Sequence, residues 1–174
     1  PQQFAQYVAH ELSCFEEKFP RRILNTKEAI QLAEWKNEQE LQAITDPGKD
    51  IISGNDGAWT VSFSENAENF SLSGLNRTIR IIGVHSLDQI IPLISPYKKF
   101  LQTVGVATSP TELFYISEQL AQHGVTRITG LGSMTAPEAG WHHDGRFNLL
   151  DLITYTEIEG SAELSSDLFA AYTD

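Results

Sequence analysis

Between residues 78 and 130 the chain alternates short β-branched apolar runs with helix signals, and that rhythm constrains its fold more than any other feature. TIRIIGV, from Thr78, reads as a strand, and SLDQ opens a helix with Ser86 as N-cap and Gln89 at the third helical position. Leu87, Ile90, Ile91 and Ile94 supply its apolar side, while Pro92 should kink or shorten it. LQTVGVAT is a second strand. A second helix follows, with Ser109 as N-cap, Pro110 at the first helical position, Glu112 at the third, Leu113, Ile116 and Leu120 facing inward, and Gly124 as its C-terminal cap. VTRITG is a third strand. Strand, helix, strand, helix, strand with short connections predicts two right-handed crossovers and a parallel sheet with helices on its faces, an α/β fold.

Upstream, Phe4, Tyr7, Val8, Leu12, Phe15 and Phe19 recur at spacings of three and four, one stripe of a helix ending at Pro20. Asn25 and Glu28 have capping-box spacing, and Ile30, Ala33, Leu41 and Ile44 continue a second helix to the turn at Asp46-Pro47-Gly48. After the turn-rich SGNDG, AWTVSFSE alternates Trp59, Val61 and Phe63 with Thr60, Ser62 and Ser64, the period of a strand with one wet face. The expected division is a helical pair over 1–50, an α/β portion over 51–160 and a weakly ordered tail over 161–174.

The 174 residues, 41% of them apolar, suffice for one substantial core. Aspartate and glutamate outnumber lysine and arginine by 23 to 12, and no basic cluster exceeds the one around Lys18, Arg21 and Arg22, so nucleic acid is not an expected partner. No apolar run reaches membrane-spanning length, and PQQFAQYVAHEL lacks the regions of a signal peptide. The single Cys14 excludes an internal disulfide, and a cytoplasmic location is expected. Because the chain starts at Pro1 rather than at a methionine, it is expected to be part of something longer.

Residues 131–148 form a long loop, and loops of that length in compact domains are usually functional or mobile. Within it WHHDGR sets two histidines beside an acid and a base. His142 and His143 are general acid/base or ligand-contacting candidates, against the alternative of a hydrogen-bonded structural turn, and Asp144 can orient one imidazole. Adjacent residues on extended backbone face opposite ways and no third ligand has suitable spacing, so no metal is expected. Gly130, Gly132, Gly140 and Gly145 do not form a GxGxxG phosphate loop. Asn76 and Arg77, just before the first parallel strand, suit a phosphate or carboxylate clamp, or equally the anchoring of a loop. Cys14 lies in mid-helix among Glu11, Glu16 and Glu17 and reads as a packing residue rather than a nucleophile.

LNRTIRIIGVHSLDQIIPLISPYKKFLQTVGVAT, GVTRITGLGSM and GWHHDGRFNLLDLITYTEIE, in that order, resemble the C-terminal part of bacterial fatty acyl-CoA reductases, the LuxC family of the aldehyde dehydrogenase superfamily. PQQFAQYVAHELSCFEEKFP resembles the helix that follows that family's catalytic-cysteine segment, so the likeness runs from about residue 2 to 160. It implies an aldehyde dehydrogenase-like catalytic-domain portion with ITYTEIE as its closing strand, while the pattern of NLLDLI reads as one buried helical turn. It implies reduction of fatty acyl-CoA by NADPH to a fatty aldehyde through an acyl-cysteine. The nucleophile would lie outside these residues, an acyl-protein synthetase is a possible partner, and a homo-oligomer is expected. The same resemblance places His142 and His143 at the reacting acyl group, with Trp141, Asp144 and Arg146 orienting the loop or substrate, and Asn76 and Arg77 near the nicotinamide ribose. A non-catalytic α/β module for assembly or docking is the alternative.

Overall fold

The computed structural model describes residues 2–147 and 149–167, which divide into two units, one of residues 1–101 and 108–125, the other of 102–107 and 126–174. The first begins with helices α1, Gln2–Lys18, and α2, Thr26–Thr45. Asn25 accepts from the Glu28 backbone N–H at 2.9 Å while the Glu28 carboxylate accepts from the Asn25 N–H at 3.0 Å, so the expected capping box is formed. Strands β1, Lys49–Ser53, β2, Thr60–Ser64, and β3, Thr78–Ile82, make one sheet in that order, β1 antiparallel and β3 parallel to β2. The β1 strand was not legible in the sequence, because KDIIS offers only two adjacent isoleucines between turns. Its hairpin to β2 supplies the pairing that its composition does not announce.

Ala5, Ala9, Ala58, Trp59, Val61 and Phe63 form the buried centre, with Val8, Leu12, Ile52 and Ile81 packed against it. The α1 face that meets the sheet is therefore Ala5, Val8, Ala9 and Leu12, spaced at three and four, whereas Phe4, Tyr7, Phe15 and Phe19 are exposed. That corrects the expected aromatic stripe, and small residues let the helix come close to the bulky β2 side chains. On α2 the buried residues are Leu32 and Gln39, not Ile30, Leu41 or Ile44.

The wet face expected of β2 is also corrected, for Thr60 and Ser62 are buried like Val61 and Phe63. As the middle strand, β2 has neighbours on both edges, and α2 makes contacts with β1 beside it. Arg80 shares the Ser62 face and donates to Ser71 and Asn69. Burial pushes its guanidinium below the usual range, against the opposing pull of Glu38.

Helix α3, Leu87–Ile94, runs through Pro92 into a 3₁₀ turn at Ser95–Tyr97, and Tyr97 donates to the Phe70 carbonyl at 2.9 Å. Ser86 makes no side-chain cap, but Gln89 accepts from the His85 N–H at 2.8 Å. Helix α4, Pro110–Gln122, has the expected cap, Ser109 accepting from the Glu112 N–H, and buries Leu120. It closes at Gly124, where φ is +95° and a side chain would collide with the Lys98 carbonyl.

The second unit holds β4, Thr103–Val106, and β5, Arg127–Gly130, paired in parallel. The expected sheet of three parallel strands is thus corrected: β3 takes β2 as its ladder partner, and β4 pairs with β5 in a separate sheet. Mixed α/β with small sheets is the observed class. Residues 153–159 carry no strand, which corrects the closing strand; that segment is exposed and a strand needs a ladder partner. The 3₁₀ turn Leu150–Leu152 stands where one helical turn was expected, but Leu150 and Leu152 are exposed rather than buried. A final helix, α5, spans Gly160–Asp167, and the rest of the expected tail lies outside the described residues.

Candidate functional site

The WHHDGR loop lies against the starts of β4 and β5. Backbone bonds from Trp141 N–H to the Glu138 carbonyl, from Gly145 to His142 and from Arg146 to His143, at 3.1 to 3.2 Å, fold it into successive tight turns with a 3₁₀ turn at His143–Gly145. Asp144 has φ +53°, a left-handed conformation that aspartate tolerates better than most residues. Gly145 follows at φ +71°, and a Cβ there would sit 3.2 Å from the Thr126 methyl, so both conformation and space favour glycine.

The two histidines have different neighbours. The His142 ring meets Phe147 edge-on at 4.7 Å, and the His143 ring meets Trp141 at 4.9 Å. His143 Nδ1 lies 3.1 Å from Asp144 Oδ2, and the other carboxylate oxygen of Asp144 accepts from Gln102 Nε2. Arg127 places its guanidinium 5.5 Å from the Trp141 ring centre and donates to the carbonyls of Ser133 and Met134. His143 consequently has the Trp141 ring on one side and, on another, a carboxylate that is itself held. The structure gathers Trp141, His143 and Asp144, sets His142 against Phe147, and adds Gln102 and Arg127. Neither added residue carries a motif: each is an ordinary polar residue beside a strand start, and only the fold brings it to the loop. No group of three potential metal ligands occurs among the described residues.

Asn76 and Arg77 belong to the first unit. Leu75, Asn76 and Arg77 are all left-handed, with φ of 58°, 47° and 68°, closed by Thr78, whose N–H and hydroxyl both donate to the Leu75 carbonyl. The Arg77 guanidinium pairs with Glu16, donates to the Phe19 carbonyl and lies 4.9 Å from the Phe15 ring centre. Through these contacts Arg77 ties the turn to the end of α1. Cys14 has His10 as a neighbour, Sγ to Nε2 3.8 Å, one helical turn away.

A family model described as acyl-CoA reductase (LuxC) matches residues 1–155. The chain belongs to the LuxC acyl-CoA reductase family. This LuxC-family chain is also similar to long-chain acyl-protein thioester reductase 2 of Photobacterium leiognathi, 24% identical over 160 residues, covering 88% of the chain and 32% of that protein. It spans about a third of the length of the relative it matches. The LuxC match takes in every residue of the WHHDGR loop and both strands beneath it. Among the described residues no helix is long and apolar enough to cross a membrane.

Proposed function

We propose that this chain forms part of an NADPH-dependent fatty acyl-CoA reductase of aldehyde dehydrogenase type, whose WHHDGR loop borders the reacting acyl group. The observation that carries the reading is the LuxC match over residues 1–155, the loop included. The loop's geometry supports it, since an imidazole gripped between an aromatic ring and a carboxylate is suited to moving a proton.

In the proposed acyl transfer, a cysteine thiol from sequence other than these residues gives its proton to His143 and attacks the thioester carbon. The bond from that carbon to the CoA sulfur breaks, and the CoA thiolate leaves with the proton that His143 returns, so charge and atoms balance. Cys14 is not assigned the nucleophile's role, for it lies in mid-helix on α1. NADPH is proposed as the reductant of the whole enzyme, held by sequence beyond these residues. Acyl delivery by an acyl-protein synthetase and assembly as a homo-oligomer belong to the same proposal.

The test is acyl-CoA-dependent NADPH oxidation by the complete enzyme and its His143→Ala variant. A loss of about 10² to 10⁴ in kcat is expected for a proton-transferring residue. Unchanged acylation and reduction rates would remove the loop from the mechanism, and an inactive wild-type enzyme over a range of acyl lengths would favour a docking or assembly module.

A further inference from the structure

We infer that Gln102 is a positioning residue which, through Asp144, sets the tautomer of His143, leaving Nε2 as the proton acceptor. The catalytic consequence rests on the proposed acyl-CoA reductase reading; the structural consequence does not.

A primary amide donates two hydrogen bonds and an ionised carboxylate only accepts, so the contact between Gln102 Nε2 and Asp144 has one sense. Gln102 is placed by its backbone: its carbonyl accepts from the N–H groups of Thr126 and Arg127, at 3.0 and 2.9 Å, at the point where β4 and β5 start. Asp144 is separated from it by 42 positions and stands in a left-handed turn. A side chain fixed at a strand start thereby ties down one carboxylate oxygen, and the other faces His143 Nδ1 at 3.1 Å.

A carboxylate beside one imidazole nitrogen favours a proton on that nitrogen. In neutral His143 this gives Nδ1–H toward Asp144 and an unprotonated Nε2, the form that can accept a proton. The Trp141 ring, 4.9 Å away, limits rotation of the imidazole, and the charged groups around it are Asp144, Arg127 beside the Trp141 ring, and Arg146 in the same loop. Free imidazole side chains favour the opposite tautomer, so the preference is readable.

The readout that does not depend on activity is the tautomer of His143, from ¹⁵N chemical shifts of its ring in this chain, with the backbone amide spectrum confirming an unchanged fold. Gln102→Leu removes the donor at similar size, and Gln102→Lys retains one. The ratio of Nδ1–H to Nε2–H is expected to fall by about two- to fivefold in Gln102→Leu, the range for a solvent-exposed charged contact, and to be kept in Gln102→Lys. In the complete enzyme, kcat should fall by roughly tenfold in Gln102→Leu, with KM unchanged and with recovery in Gln102→Lys. A Gln102→Leu tautomer ratio equal to wild type, or Leu and Lys variants that behave alike, would overturn the inference. A shifted tautomer together with a fully active His143→Ala enzyme would keep the positioning role and sink the catalytic reading, so the two failures are distinguishable.

Discussion

The three-stranded unit and the two-stranded unit are held by different forces. Among the described residues every buried apolar side chain, from Ala5 to Val125, lies in the first, and none in the second is buried. The first is ordered by an apolar centre around Val61, whose side chain is fully enclosed. The second is ordered by a short parallel ladder and by polar and ring contacts: Gln102 to Asp144, Arg127 to the Ser133 and Met134 carbonyls, Trp141 to His143. Contacts of the second kind give geometry without much stability.

The comparison breaks most readily at the core. Phe63→Ala should destabilise the first unit by about 3 to 5 kcal/mol, whereas Val104→Ala in half-buried β4 should cost under about 1 kcal/mol. Urea titration followed by residue-resolved amide signals measures both, and equal losses would show that the two units are one cooperative body. Next in size is Arg77→Ala, which frees the left-handed Leu75–Arg77 turn and leaves Glu16 without its cation; a loss of about 1.5 to 3 kcal/mol is expected in the same titration. No change would mean that the turn holds without its anchor.

The smallest effect concerns the start of α2. Asn25→Ala should cost about 1 kcal/mol by removing the helix cap. The carboxyl of Glu28 is held down to about 2, chiefly by the Arg22 guanidinium and then by the Asn25 N–H. A depressed carboxylate contributes stability that is complete above its unfolded value, about 4.3, and is lost as pH falls through its folded value. The α2 N-terminus should therefore loosen in the window from about pH 4.3 down to about 2, read as growing amide exchange at Ala29 and Ile30. Loosening that begins near neutral pH would contradict that assignment.

How far the sequence could be read varied with the range of the interaction. Capping signals were legible because their partners are three residues apart: Asn25 with Glu28 and Ser109 with Glu112. The left-handed close of α4 at Gly124 was legible for the same reason. Faces were harder. The aromatic spacing in α1 pointed to Phe4, Phe15 and Phe19, yet the packed face is Ala5 and Ala9, because the choice depends on which helix surface complements β2.

The order of helices α1 to α4 and the caps at Asn25 and Ser109 were determined by the sequence itself, through backbone preferences and interactions spanning a few residues. Strand partnership was decided only in the tertiary structure: β3 with β2 rather than β4, and residues 153–159 without a ladder. A β-prone segment specifies that it can pair, not with what. The candidate site shows the same division. WHHDGR was visible as a cluster of chemical types, while Gln102, 42 positions from Asp144, became part of it because parallel pairing of β4 with β5 brings its strand start to the loop.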